Sequence, residues 1–365
     1  VRVKIFPADR SGCGYYRCIF PARAVQASGN ERVEVFVVDD DENQDMILNA
    51  KFGGTVGRPQ IFEIDNPECD VLVLQRPMDR KLVEAIPLIQ AHGTAVVVEI
   101  DDDFDTLSPK NPAFRAASPR FSPESNSMWF GLALQTCDYV ITSTEALLKR
   151  YGQRGNACSI SNYVPESYFK TEPYTKGIRE DLWIGWPGNP FSHPGDLEVV
   201  STSVRDVMRE HDSTWLYTVG HDSTISRFQC DEFTPARTHV AHWSPLLEHA
   251  QSTCELDVGL APLSRVPFNT AKSWIKPLEY AALGVPFVAS PTREYRRLQK
   301  LTGVGEMAEY PIDWKLSLGK LVSDDDYRAE RAALQREAVR TLTYEEHLDE
   351  WVNAWSMAMA YRSAR

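Results

Sequence analysis

The chain has 365 residues, 43% of them hydrophobic and 25% charged, with no low-complexity stretch; this composition sets disorder aside and supplies apolar surface for two cores. Its 39 Lys and Arg against 51 Asp and Glu give a formal net charge of −12, which argues against a surface built for non-specific nucleic-acid binding while leaving room for a local basic cleft. No apolar run reaches membrane-spanning length, and the opening Val-Arg-Val-Lys-Ile-Phe reads as a core strand and not as a signal peptide, so the expectation is a cytoplasmic protein without integral membrane contact.

In the N-terminal half, residues 1–6 are strand-like and run into the loop Asp9-Arg10-Ser11-Gly12-Cys13-Gly14. Residues 15–27 read as a helix and 33–38 as a strand. The runs 71–75 and 95–100 are short and β-branched, the kind that fills a parallel sheet buried on both faces. Between them 79–91 has helical spacing in Leu82, Ile86 and Ile89. One more buried strand, 139–142, precedes a helix at 144–151 capped by Ser143 or Thr144. Such alternation is the signature of a doubly wound α/β domain.

Residues 161–176 carry Pro165 and Pro173 without periodicity and read as a domain junction. The pattern then restarts, with strands at 182–186, 214–219, 238–242, 258–261 and 286–290 and helices at 197–211, 245–252 and 275–283. The C-terminal 324–365 is helical and charged. Its Leu348, Trp351, Val352, Trp355 and Met359 form an apolar stripe, read as a docking face for the protein's own core. Two such domains would enclose a cleft at the carboxyl ends of their strands, where open α/β sheets bind ligands. The seven cysteines, Cys13, Cys18, Cys69, Cys137, Cys158, Cys230 and Cys254, contain no C-x-x-C pair and fit reduced thiols better than disulfides or zinc.

The stretch from Asp257 to Ser290 carries the most chemistry. A buried strand leads through a polar loop into a helix with Pro277 in its first turn, and Gly284 ends that helix. Lys272, Ser273 and Lys276 surround the helix start, where free N–H groups and the positive end of the dipole make an anion site. Glu279, three residues past Lys276, projects from the same face and can accept two hydrogen bonds from a ribose diol. Phosphate plus ribose recognition is the minimum for a nucleotide donor.

This stretch resembles the donor-site signature of the retaining GT-B superfamily that includes family 4 glycosyltransferases, in which an E-x7-E motif precedes a LEAxAxGxPVVAS-like helix and strand. Glu279 matches the second Glu, which in the family holds the ribose, whereas the first Glu position falls on Ala271. The chain is similar to a sub-branch carrying N-x-x-K-S-x-x-K-x-LEYAALGVPxVAS. That form implies that Asn269, Lys272, Ser273 and Lys276 bind the donor and that Lys272 stabilises the departing diphosphate. Asp138-Tyr-Val-Ile-Thr-Ser-Thr-Glu145 and Ser161-Asn-Tyr-Val-Pro165 resemble two further family units. The likeness is strongest at 257–290 and loosest at 40–70.

The resemblance implies two Rossmann-like doubly wound domains facing across a cleft. Residues 1–165 would form the acceptor side, 177–340 the nucleotide-sugar domain, and 341–365 a helix crossing back to the first. It further implies a hexosyltransferase-type transfer, with retention, from a UDP- or GDP-sugar to a hydroxyl acceptor. Glycan, protein, small molecule and modified nucleic-acid base all remain open as acceptor. No metal and no tightly bound cofactor is expected. A non-catalytic sugar- or nucleotide-binding module, or a UDP-sugar epimerase of the same architecture, is the alternative.

Three loops complete the candidate site. Gly12 and Gly14 after the first strand read either as a tight turn or, in the family, as an approach to the donor diphosphate or the acceptor. Asp101, Asp102, Asp103 and Asp105 end a buried strand and allow three readings: a D-x-D metal site, an acceptor- or sugar-binding edge, or a solvated turn with one aspartate capping the next helix. By strand alignment Asp101 stands where family members carry a histidine close to the transferred sugar, so Asp101 and Asp102 are the candidates for steering the acceptor hydroxyl. In the third loop Gly185 and Gly188 permit close backbone approach to a ligand, and in the family this loop flanks the donor phosphates. His193 there reads as structural or catalytic, and Trp243 as a base-stacking or a core residue.

Overall fold

Short buried strands alternating with helices build two separate sheets. The computed structural model describes residues 1–38, 51–55, 58–220, 223–241 and 246–364. It divides into one compact unit of residues 1–107, 113–162 and 344–365, and a second of 108–112 and 163–343.

The sheet of the first unit holds β1 (Arg2–Phe6), β2 (Glu34–Val37), β5 (Val71–Gln75), β6 (Ala95–Ile100), β7 (Tyr139–Thr142) and β8 (Ala157–Ser159). They lie in the order β2-β1-β5-β6-β7-β8, and every pair is parallel. Every residue of β5, β6 and β7 is buried, which is why these runs are mostly apolar, with the polar Gln75, Glu99 and Thr142 near their carboxyl ends. Between β2 and β5 the chain makes an antiparallel hairpin, β3 (Lys51–Thr55) with β4 (Arg58–Glu63), in the region where the sequence pattern is weakest. The Asp79 carboxylate caps the helix Arg80–Ala91 by accepting from the Leu82 N–H at 3.1 Å, and Thr144 caps Glu145–Tyr151 through Leu147 at 3.3 Å.

The first helix starts earlier than its periodicity predicts. Residues 12–27 are helical throughout, with a π-helical turn at Tyr15–Ile19 leading into Phe20–Ala27. Asp9 causes the early start: its Oδ1 accepts from the N–H groups of Ser11 (2.8 Å) and Gly14 (3.3 Å). The π turn places Arg17, 2% exposed, at the carboxyl ends of β6, β7 and β8. Its Nε meets Glu99 Oε1 at 2.5 Å, and Nη1 donates to Ile160 O at 2.8 Å and Asn162 Oδ1 at 2.7 Å.

The second sheet holds β9 (Leu182–Pro187), β10 (Thr214–Val219), β11 (Thr238–Ala241), β12 (Val258–Ala261), β13 (Phe287–Ala289) and β14 (Glu306–Met307). Its order, β11-β10-β9-β12-β13-β14, all parallel, reverses direction between β9 and β12. That reversal leaves a crevice at the carboxyl ends of β9 and β12, the usual ligand position in such sheets. Trp314, Leu318 and Leu321 of the helix Pro311–Ser323 pack with Val204 and Val207 of Ser201–Glu210 in a core that includes Leu216 and Leu260.

The C-terminal helical stretch is two helices, Asp325–Ala338 and Tyr344–Ser363, and not one. Residues between them bridge back to the junction, where Val164 N–H donates to Leu342 O at 3.2 Å. The final helix belongs to the first unit and packs on β5, β6 and β7. Trp351, Val352 and Trp355 of its stripe are buried and Leu348 and Met359 partly so, which makes the stripe an internal docking face. All seven cysteines are free thiols, and no described helix is long and apolar enough to cross a membrane.

Candidate functional site

In the second unit, β12 runs into a loop with a 3₁₀ turn at Pro267–Ala271, then Lys272, Ser273 and the eight-residue helix Ile275–Ala282. Asp196, 2% exposed, holds this loop: its Oδ1 accepts from Ser264 N (2.8 Å), Ser264 Oγ (2.7 Å) and Asn269 Nδ2 (2.7 Å). Its Oδ2 lies 2.9 Å from His193 Nδ1. Burial works to raise the Asp196 pKa, but the bonds from His193 and Ser264 outweigh it and hold the carboxyl below its ordinary value. Sequence reasoning missed Asp196, and its only local signal is its place at the end of a Pro- and Gly-rich loop, directly before the turn Leu197–Val199. Asn269, expected at the donor, is 4% exposed and directs its amide to Asp196 and Ser264, so the geometry makes it a loop anchor.

At the helix start the structure brings together residues the sequence singled out. Lys276 Nζ lies 3.0 Å from Glu279 Oε2 and donates to Pro187 O at 2.9 Å, tying the end of β9 to the helix. Glu279 is 2% exposed; its other oxygen lies 3.5 Å from His249 Nε2, a neighbour on Leu246–Cys254 that the sequence reading did not find. Burial depresses the His249 pKa to about 4; Glu279 opposes that shift and Lys276 adds to it, so the imidazole is neutral near pH 7. Lys272 Nζ sits 4.6 Å from the centroid of the Phe268 ring. Trp274, at the helix N-cap, offers no side-chain acceptor. Ala271 is buried, and no carboxylate occupies that position.

The two glycines of the β9 loop differ. A Cβ on Gly185 would lie 2.0 Å from Tyr217 O, so close pairing within the sheet, and not a ligand, requires this glycine. A Cβ on Gly188 would lie 2.7 Å from the Trp186 indole, beside the Pro187 carbonyl that Lys276 holds. His193 meets Trp186 edge-on at 5.3 Å as well as Asp196, a loop-bracing arrangement. Trp243 lies outside the described residues.

In the first unit, the candidate groups gather at the carboxyl ends of β1, β5 and β6. Arg76 follows β5 with φ of 47°, uncommon for a bulky residue; its guanidinium pairs with Asp9 and its N–H donates to Glu99 O at 2.9 Å. Cys13, Asp101 and Asp102 each offer a ligand atom, all within 4.8 Å of one another. Burial and the neighbouring Asp102 raise the Asp101 pKa, Arg76 pulls against them, and Asp101 Oδ1 is buried without a hydrogen-bond partner. Burial, then Asp101 and Asp102, push the Cys13 thiol well up, so it stays protonated.

Asp103 turns elsewhere. It is 2% exposed, accepts from Tyr151 Oη at 3.2 Å and pairs with Arg150 Nε at 3.1 Å. Asp103 therefore turns away from Asp101, and the acidic ligand atoms that do gather are those of Asp101 and Asp102 beside Cys13. Asp103 makes no side-chain cap on the turn that follows it, and Asp105 in that turn is exposed. Gly14 is demanded by packing, since a Cβ there would meet Asp9 O at 1.8 Å, whereas a Cβ on Gly12 would face open space. A wide cavity of about 920 Å³ lies at the opposite edge of this sheet, lined by Arg2, Glu34 and Asp70; ligands of open α/β sheets bind at the carboxyl edge, which favours the Asp101 end.

No family model matches the sequence, and no curated protein does. Solved structures match it in fold. TarM superposes with a TM-score of 0.53 at 14% identity over 78% of this chain, which spans only 54% of TarM. HepE from Anabaena, in complex with UDP, gives 0.57 at 12% identity over 97% of this chain and 100% of HepE. Sucrose-phosphate synthase from Thermosynechococcus elongatus gives 0.60 at 13% over 100% and 98% of the two chains. A putative UDP-N-acetylglucosamine 2-epimerase from Listeria monocytogenes shares the architecture. The chain therefore has the GT-B fold, two Rossmann-like α/β domains, and its structural neighbours include glycosyltransferases.

Proposed function

We propose that the chain is a hexosyltransferase-type enzyme that moves a sugar, with retention, from a UDP- or GDP-sugar to a hydroxyl acceptor. The observation that carries this reading is the Lys276–Glu279 pair at the helix start behind β12, at the point where the strand order reverses in a GT-B fold. Glu279 takes the ribose hydroxyls. Lys272, Ser273 and the helix N-terminus take the diphosphate, with Lys276 and the Gly188 loop beside them. As the anomeric C–O bond breaks, its electron pair leaves on the diphosphate oxygen. Lys272 and the N–H groups stabilise that charge, so no metal enters the reading. Asp101 and Asp102 steer the acceptor hydroxyl, and Gly12 lets a substrate approach the backbone of the first unit. Glycan, protein, small molecule and modified base each qualify as acceptor by presenting a hydroxyl.

Calorimetric titration with UDP and with GDP tests the donor half. Lys272→Ala and Glu279→Ala are each expected to weaken nucleotide binding by about tenfold or more. Unchanged affinity in both variants removes the site assignment. Slow release of free sugar from a bound donor without acceptor distinguishes a transferase from a binding module, and formation of an isomeric sugar nucleotide would identify an epimerase instead.

A further inference from the structure

A second cavity in the second unit, of about 730 Å³, lies between the loop after β12 and the loop after β13. Its volume falls within the usual range for small-molecule sites. The loop that carries Asn269 forms one wall of this cavity and then continues to Lys272 and the helix start, so the two sites are neighbours without sharing their charged groups.

Three guanidiniums line it, Arg265, Arg293 and Arg296, against one carboxylate, Glu309, in a chain whose net charge is −12. Glu309 shows how these cations receive an oxyanion. One of its oxygens pairs with Arg265, and the other lies 3.9 Å from Arg296. Arg296 is held in place by donating from Nε to Pro291 O at 3.0 Å. Arg293 is exposed and pairs with no carboxylate among the described residues. Val199, Leu263 and Val266 give the remaining wall an apolar character. Planar guanidiniums in a fork suit phosphate and carboxylate oxygens, and the apolar wall suits an uncharged body attached to them.

We infer that this cavity binds a ligand carrying an oxyanion, phosphate or carboxylate, with Arg293 as its principal free contact and Arg265 and Arg296 as supports. This is an anion site of the second unit alone, and it stands whether or not the glycosyltransferase reading does. The site is separate from the donor diphosphate position at Lys272 and Ser273.

The test is calorimetry on the full chain with inorganic phosphate and, separately, with citrate, at matched ionic strength and with UDP present at saturation. Phosphate or citrate should bind the UDP-loaded protein. Arg293→Ala and Arg296→Ala should each weaken that binding by about tenfold, while Arg209→Ala, on an exposed arginine paired with Glu232 away from the cavity, leaves it unchanged. Preference for phosphate assigns a phosphorylated ligand, and preference for citrate assigns a carboxylate. Equal binding in all variants, no binding, or displacement of phosphate by UDP overturns the inference. Failure of UDP to bind, with phosphate binding still dependent on Arg293, would remove the glycosyltransferase reading and leave the anion site standing.

Discussion

Glu279 and Lys276 meet at 3.0 Å one helical turn apart, and the carboxylate is all but sealed from solvent. A buried carboxylate stays ionised only when its partner offsets the loss of hydration. With His249 neutral, Lys276 is the cation that does so. Lys276→Met is therefore expected to destabilise the protein by about 3 kcal/mol, and adding Glu279→Gln should recover at least half of that, because the uncompensated charge is gone. Urea unfolding of the two single variants and the double variant measures this. A simple sum of the single effects would show that the pair is not coupled.

Gly12 and Gly14 separate a packing requirement from a ligand requirement. Gly14→Ala forces a methyl against Asp9 O and disturbs the carboxylate that starts the helix and pairs with Arg76; a loss of about 2 kcal/mol or more is expected. Gly12→Ala places its methyl in open space within a helical turn, so thermal stability should change by less than about 0.5 kcal/mol. If Gly12 serves substrate approach, transfer falls in a variant whose melting temperature does not. Normal turnover in Gly12→Ala would confine that residue to the fold.

The central strands were legible because they are buried on both faces and read as short, mostly apolar runs, as in 71–75 and 95–100. The Lys276–Glu279 contact was legible because a spacing of three residues fixes a helix face. Contacts made across sequence distance were not. Asp196 reaches Asn269 over 73 residues, His249 reaches Glu279 from another helix, and Arg76 acquires its meaning from Asp9 on a neighbouring strand's loop. The early start of the first helix escaped for a related reason: periodicity sees side-chain burial, while the start is set by backbone N–H groups bonding to Asp9.

His249 gives the fold a pH dependence of known sign. Its pKa falls from an ordinary 6.5 to about 4 in the fold, so between these values the unfolded chain binds more protons and stability declines as pH falls. The full effect is on the order of 3 kcal/mol. Glu99 works in the opposite direction over an overlapping window: burial raises its pKa from 4.5 to about 7, with Arg17 opposing, so it loses stability as pH rises through that range. The difference between the wild-type and His249→Gln stability curves isolates the histidine. That difference should shrink in the wild type's disfavour from pH 6.5 down to pH 4, and a pH-independent difference would contradict a neutral buried imidazole.

Asp101 and Asp103 are expected to respond oppositely to loss of charge. Asp103 has partners for its ionised form in Arg150 and Tyr151, so Asp103→Asn should lower the melting temperature. Asp101 has a buried oxygen without a partner and a pKa raised by burial and by Asp102; its ionised form is penalised in the fold at neutral pH. Asp101→Asn should therefore raise the melting temperature at pH 7, and the gain should vanish as pH falls toward the ordinary aspartate range and the native carboxyl takes up its proton. A charged group kept at a cost to stability at the carboxyl edge of a sheet is what a substrate-steering role requires. The same variant is expected to lose transfer while binding UDP as tightly as the wild type. Full transfer by Asp101→Asn would pass the acceptor role to Asp102 alone.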